Sequence, residues 1–367
     1  MGASKTALPM SQDANAVASP NTLMRSEKVI DGSFEIDGIS WRTSPVFDTY
    51  WRFAQARQEL YHQRVRGWTL VSKNDAILST YKFTNVYRAA DRVSQFLIRD
   101  VINSGKRSAE DLFFRILLFK IFNKIETWEL LLRTLGDLFW SSDIVPAISA
   151  ALNEAISRGE RIYSAAYIMP SGGGVYPRKH DAHLALLQNM MKQRLYARIE
   201  DSGSMEEAFL LLRAQPMLGD FLAYQFVTDI NYSDLCDFSE QEFVVPGPGA
   251  RDGIRKCFPD LPMSLAPEAI KAVCRAQNQE FAKRELRFRD LWGRPLQLID
   301  CQNLFCEVDK YARIAHPDIE GMSGRTRIKQ QYRPKGPIAA PFFPPKWKLQ
   351  LAGSAAADID KSQANIE

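Results

Sequence analysis

Apolar residues recur three and four positions apart along most of this chain, and alternation with period two is scarce. The spacing predicts helices over residues 49–67, 85–102, a long block at 111–139, 144–157, 180–199, 268–286 and 298–315. Two short runs, GSFEIDGISWR and TLVSKN, are the places where a minor β-hairpin could form. The fold class that follows is mainly α, a multi-helix domain with few or no strands. The most apolar stretch, LFFRILLFKIF at 112–122, is interrupted by Arg115 and Lys120 and falls short of the roughly 20 residues a bilayer-crossing helix needs. It reads as a core helix, and no membrane association is expected.

One pair of helices has a layout of its own. Ser204 and Glu207 have the spacing of a capping box ahead of the apolar run Ala208 to Leu212, Pro216 stops that helix, and a second begins near Phe221. Gly219 is read as giving the tight turn its backbone freedom, with Met217 beside it. Residues 205–230 therefore read as a helix-hairpin-helix, whose second helix would offer its first amides, near Met217 and Gly219, to a DNA phosphate. A plain packing corner between two helices has the same pattern. Downstream, Glu242 precedes the turn FVVPGPGA, where a carboxylate beside a hairpin could serve acid–base chemistry on a base in DNA.

Composition narrows the class. With 46% apolar residues in 367 the chain can bury a substantial core, and its net charge is +4. The positive excess lies in the last part: from Gly321 onward there are 8 Lys and Arg against 3 Asp and Glu. Within it GRTRIKQQYRPKG carries Arg325, Arg327 and Lys329, a stretch suited to lie along phosphates, whereas 336–367 reads as a Pro-rich flexible tail. Residues 1–33 lack an apolar signal core and read as a disordered lead, so the expected location is intracellular, nuclear in a eukaryote and otherwise cytoplasmic. The helical domain is then 34–335. Five cysteines without zinc-ligand spacing are expected to be free thiols, and no metal is expected. No phosphate-cradling Gly-x-x-x-x-Gly-Lys-Ser/Thr loop occurs, and the Gly172 to Gly174 run lacks its Lys-Ser/Thr pair.

Three further polar groupings stand out. Lys82, Asn85, Arg88 and Arg92 recur at helical spacing among tyrosines, as a nucleic-acid face or as an ordinary solvated surface. Arg178, Lys179, His180 and His183 crowd a helix start, where cations oppose the dipole and an anionic ligand would compensate them; the two histidines could instead bind metal or simply hydrogen-bond. Asp300, Asn303 and Glu307 form one stripe of a core-like helix, with Asp309 nearby, either as a polar network paired with Arg88 or Arg92 or as acid–base groups.

In order along the chain, the blocks YWRFAQARQELYHQRVRG, YKFTNVYRAADRVSQFLIRDVI, AYIMP with RKHDAHLALL, LLRAQPMLGDFLAYQFVTDINYS, EFVVPGPGARDGIRKCF and WGRPLQLIDCQNLFCEVDKYARIAHP resemble the helical domain of the 5-hydroxymethyluracil DNA kinase family. That domain is related to the alpha-glutamyl/putrescinyl thymine pyrophosphorylases of phage DNA hypermodification. The resemblance covers about 40–334. It implies a DNA-glycosylase-like helical fold acting on a modified thymine in DNA. In such systems a hydroxymethyl group on uracil is phosphorylated, and a related helical enzyme then displaces the phosphate or pyrophosphate with an amine. DNA is the implied partner, with a separate nucleotide kinase or base-oxidising enzyme; an amine is the implied cosubstrate, and no cofactor is expected. Glu242, or Asp229 at the end of the second helix, would deprotonate the amine, and Lys82, Arg88, Arg92, Lys179 and His180 would hold a charged base substituent. The chain departs from the pattern in lacking a P-loop, in carrying Met217 at one hairpin glycine position, and in offering Glu242 where glycosylases use Asp. A DNA-binding module that recruits another enzyme, or a glycosylase that excises the base, are the alternatives.

Overall fold

The computed structural model describes residues 32–67, 75–105, 107–333 and 338–351. A short antiparallel hairpin comes first: β1 (Ser33–Ile36) pairs with β2 (Ile39–Arg42), with Phe34 opposite Trp41. Its turn residues Asp37 and Gly38 both have positive φ, 53° and 72°, the combination a two-residue hairpin turn requires. Among the described residues this is the only sheet. The run TLVSKN lies outside them.

Helix α1 (Pro45–Val65) opens at Ser44, whose hydroxyl accepts the Val46 amide, and Pro45 occupies the first turn, where a missing N–H costs nothing. Helix α2 (Ala76–Thr80) is capped by Asp75. Then come α3 (Arg92–Phe96), α4 (Ala109–Phe122), α5 (Ile125–Leu135), α6 (Ile144–Ser157), α7 (Lys179–Lys192), α8 (Leu195–Glu200), α9 (Met205–Arg213), α10 (Asp220–Ile230), α11 (Pro248–Cys257), α12 (Ala266–Lys283) and α13 (Leu298–Ala315).

Three predicted helices are subdivided, each for a local reason. The 111–139 block breaks after Phe122, where Asn123 takes a left-handed conformation at φ 48° and α4 ends. The 180–199 block breaks at Arg194, also left-handed at φ 50°. Residues 85–102 are helical only in part: a 3₁₀ turn at Arg88–Ala90, α3, and a π turn at Leu97–Ile102. The segment before it is extended, Tyr81 bridging to Gln331 and the Lys82 amide donating to the Gln330 carbonyl at 3.0 Å.

Helix α13 runs through one half of the core against α1, α11 and α12. Two glycines set its approach to α11. A Cβ on Gly253 would fall 2.0 Å from the Phe305 carbonyl oxygen, and one on Gly249 would meet Cys306 Sγ. In the other half α4 packs against α7, α8 and α10. Every residue of α4 from Phe113 to Phe122 is buried, Arg115 and Lys120 included. Arg115 is satisfied by Asp137, Ser104 and two backbone carbonyls.

The early part of the expected tail, 338–351, packs on the body. Phe343 is buried, the Phe342 amide donates to Gln95, and Lys346 donates to the Ser233 and Cys236 carbonyls. Among the described residues no helix is long and apolar enough to cross a membrane, and the five cysteines are free thiols.

Candidate functional site: a hairpin beside a buried cation pair

The α9–α10 corner is built as a hairpin. Ser204 Oγ accepts the Glu207 amide at 3.2 Å, and the Glu207 carboxylate reaches one residue further back than a standard capping box, to the Gly203 amide at 2.7 Å. The expected role of Gly219 is not what the backbone uses. Gly219 has φ −74°, open to any residue, and an added Cβ would meet nothing within 4 Å. The left-handed position is Met217, at φ 64°. Its thioether lies where it would be 3.1 Å from a Cβ on Gly172. An open cleft of about 530 Å³ follows the hairpin, lined by Pro170 and by residues 213–219. No side chain caps the start of α10, and Asp220 in its first turn is paired with Arg213.

Behind the hairpin lies a buried pair of cations that share one carboxylate. Arg88 Nη1 donates to Asp229 Oδ1 at 2.6 Å and to the Tyr232 hydroxyl at 3.2 Å, while Nε donates to Gln225 at 3.1 Å. Lys120 Nζ sits 2.7 Å from Asp229 Oδ2. All three charged groups are buried. Burial alone would raise the Asp229 carboxyl, but the Arg88 and Lys120 charges hold it below the usual carboxylate range. Burial pushes the Lys120 ammonium down to about 8, with Arg88 adding to the depression and Asp229 opposing it. Both Asp229 oxygens are thus held by cations. Asp229 is placed as their counter-ion, where the sequence reading made it a candidate general base, and the trio keeps a surplus of one positive charge.

The loop between α6 and α7 lies over this cluster. The Tyr167 ring is 4.0 Å from Lys120 Nζ and 5.9 Å from the Arg88 guanidinium carbon, and stacks on Phe221 at 5.9 Å and 20°. Phe221 in turn lies against Gly247, where an added Cβ would come within 2.6 Å of the ring. His183 fastens both shoulders of the loop: Nδ1 lies 2.8 Å from the Tyr163 hydroxyl and Nε2 lies 2.7 Å from the Pro170 carbonyl. With both ring nitrogens engaged and its pKa lowered by burial, His183 fits a neutral structural role rather than a metal ligand. His180 is buried one turn away. Among the described residues no cluster of three or more His, Cys, Asp or Glu could hold a metal.

The remaining predicted groupings separate. Lys82 is exposed, Asn85 accepts from Arg57 at 2.7 Å, and Arg92 is exposed and 3.9 Å from Glu126, so only Arg88 of that set reaches the buried cluster. The helical spacing that placed these cations on one face fails because residues 81–87 are not helical. Arg178 is exposed and donates to Asn153, and Lys179 lies 5.0 Å from the Tyr163 ring. The Asp300, Asn303 and Glu307 stripe does face one partner, the 84–88 turn. Asp300 accepts the Arg88 amide at 2.8 Å, Asn303 donates to the Asn85 carbonyl at 3.0 Å, and Glu307 accepts the Thr84 amide at 3.0 Å. It is a network that shapes the turn presenting Arg88, through backbone amides and not through the expected guanidinium pair. Asp309 is elsewhere, with Lys256 and Arg313.

Glu242 is exposed on the turn after α10; the half-buried carboxylate of that segment is Glu240, 2.6 Å from Arg294. Arg325, Arg327 and Lys329 are exposed on an extended strip anchored through Ser323 to Asp252 and through the Arg327 carbonyl to Arg313. Sequence reasoning missed Lys120, Tyr167, Phe221, Gln225 and Tyr232. The one available signal was Lys120 itself, a cation inside LLFKIF with apolar neighbours on every side, which demands a buried acid.

A family model described as "5-hmdU DNA kinase, helical domain" matches residues 44–321. Among curated proteins, a 5-hmdU DNA kinase of Bacillus phage SP10 is 25% identical over 307 residues, covering 75% of this chain and 47% of that protein. The chain thus spans about half the length of that relative. No solved structure matches it significantly.

Proposed function

Since this chain belongs to the 5-hmdU DNA kinase helical-domain family, we propose that it binds DNA containing a 5-substituted uracil and takes part in modifying that base. The observation that carries the reading is the pairing of an open hairpin cleft with the buried, net-cationic Arg88–Lys120–Asp229 cluster behind α10. An uncapped helix start and an open cleft suit a phosphate backbone. A desolvated surplus cation suits an anionic base substituent far better than an unmodified thymine.

In the chemical form of this proposal, an amine attacks the 5-methylene carbon of a phosphorylated 5-hydroxymethyluracil, the C–O bond to the phosphate breaks, and phosphate leaves. The nucleophile must lose a proton, and Glu242 supports that role better than Asp229, whose oxygens are both engaged. The exposed Arg325, Arg327 and Lys329 strip would add sequence-independent, salt-sensitive backbone contact.

The test uses duplex oligonucleotides carrying thymine, 5-hydroxymethyluracil or its phosphorylated form, incubated with and without putrescine or glutamate. Retention is measured at two salt concentrations and products are weighed by mass spectrometry. Preferential retention of modified strands is expected; a mass change on the phosphorylated strand would mark substitution, and base loss would mark excision. Equal or absent retention of all three duplexes would refute the proposal. Glu242→Gln should spare retention and abolish any substitution, and unchanged turnover would remove Glu242 from the chemistry.

A further inference from the structure

The Tyr167 side chain is placed as a bound ligand would be. Its ring stacks on Phe221, Lys120 Nζ lies 4.0 Å from its centroid, and the Arg88 guanidinium carbon lies 5.9 Å from it. The residue is partly buried and sits at φ 56°, a left-handed backbone that disfavours a side chain as large as tyrosine. Three successive glycines with positive φ, Gly172 to Gly174, follow it, and the neighbouring Ile168 is 68% exposed and Val175 81% exposed. His183 pins the loop at Tyr163 and at Pro170, so residues 164–169 form a short span between two fixed posts.

The surroundings ask for more negative charge than they hold. Two buried cations share one carboxylate, and the nearest other acids are already committed. Asp300 accepts the Arg88 and Gln297 amides, Glu240 is tied to Arg294, and Asp91 accepts the Asn85 amide. Tyr167 contributes a π face and a neutral hydroxyl, a weaker complement to the surplus cation than an anion would be.

We propose that Tyr167 is a removable plug in a binding slot for a pyrimidine ring bearing an anionic 5-substituent: the ring replaces the phenol ring against Phe221, and the anionic group meets Arg88 and Lys120. This rests on the reading that the protein acts on a substituted uracil, and adds which residues hold the ring and what keeps the slot closed. Because Gly172 lies against Met217, the loop that carries the plug touches the hairpin tip, and a duplex seated on the hairpin bears directly on it.

The experiment is a calorimetric titration of the full chain with 5-phosphooxymethyl-2′-deoxyuridine, alongside inorganic phosphate alone. Tyr167→Gly removes the plug and suits the left-handed backbone, so it is expected to fold; urea melts check this. The variant should bind the nucleoside at least tenfold more tightly than the unaltered protein, with no such gain for phosphate. Adding Lys120→Met should erase the gain. Phe221→Ala in the otherwise unaltered chain should weaken nucleoside binding, which gives a second reading if Tyr167→Gly is poorly folded. Equal or weaker binding by Tyr167→Gly, an equal gain for phosphate, or indifference to Phe221→Ala would each overturn the slot. The DNA reading is judged separately by duplex retention on the unaltered protein; a protein that retains no duplex but shows the nucleoside gain has lost that reading and kept the slot.

Discussion

Asp229→Asn and Lys120→Met remove opposite members of one buried cluster and should have very unequal effects. Asp229 satisfies Arg88 at 2.6 Å and Lys120 at 2.7 Å, and both cations are buried. Neutralising it leaves two desolvated positive charges facing each other, and breaking a buried pair in this way costs about 3–5 kcal/mol. Against a total domain stability of about 5–15 kcal/mol that is a large fraction. Lys120→Met leaves a balanced Arg88–Asp229 pair and fills similar volume with an apolar chain. Because the Lys120 ammonium is already held down to about 8, the cost should lie within about 1 kcal/mol of zero, in either direction.

The assay is urea unfolding at pH 7, comparing midpoints where the slopes agree. The pH dependence supplies a second arm. The unfolded chain keeps its lysine proton to about pH 10.4, while folded Lys120 releases it near 8, so between those values the unfolded state binds more protons and this group's contribution to stability rises with pH. At about 1.36 kcal/mol per pKa unit the rise reaches roughly 3 kcal/mol. Buried tyrosines and thiols act in the opposite direction in the same range, so the quantity to read is the difference between the unaltered protein and Lys120→Met. If Lys120→Met costs as much as Asp229→Asn, or if the difference is flat from pH 8 to 10, the surplus-cation argument is wrong.

Three other outcomes follow from local geometry. Gly219→Ala should change stability by no more than about 1 kcal/mol in either direction, since the ordinary φ and open space admit a side chain while the N-cap of α10 favours glycine over alanine; a larger loss in thermal melts would restore the turn role assigned to it from sequence. Gly253→Ala drives a methyl to within 2.0 Å of the Phe305 carbonyl and should cost about 3 kcal/mol or more, and a variant with an unchanged urea midpoint would show that α11 and α13 are not so closely packed. His183 takes its proton at lower pH when folded than the roughly 6.5 of an unfolded histidine, so its contribution is complete above that value and is lost as pH falls toward the folded pKa. The stability difference between the unaltered protein and His183→Asn should therefore shrink on acidification from pH 7 to 5, and a constant difference would contradict the neutral, doubly bonded ring.

What the sequence determined by itself was whatever depends on neighbours along the chain. Helical periodicity carried α1, α6, α12 and α13 to within a few residues of their ends, because an amphipathic or buried helix repeats its apolar face every three or four positions. The Ser204 and Glu207 pattern located the start of α9, since capping is a local exchange of hydrogen bonds. The Asp300, Asn303 and Glu307 stripe was legible as one face for the same reason. The break at Asn123 had a local signal that the periodicity overrode, since Asn favours a left-handed helix end, whereas the break at Arg194 had none, because a left-handed backbone at an arginine is held by tertiary packing and leaves no compositional mark.

Only the folded structure decided which charges meet. Arg88, Lys120 and Asp229 come from three separated segments, and nothing in their spacing says that one carboxylate serves two cations. Their pairing exists because burial makes an uncompensated charge more costly than any alternative arrangement. The same holds for the glycines. Sequence reasoning assigned Gly219 a conformational role and read FVVPGPGA as the turn after Glu242, whereas Gly247 makes room for Phe221, and Gly249 and Gly253 let α11 approach α13. Close approach between distant segments is a property of packing, and no local pattern encodes it.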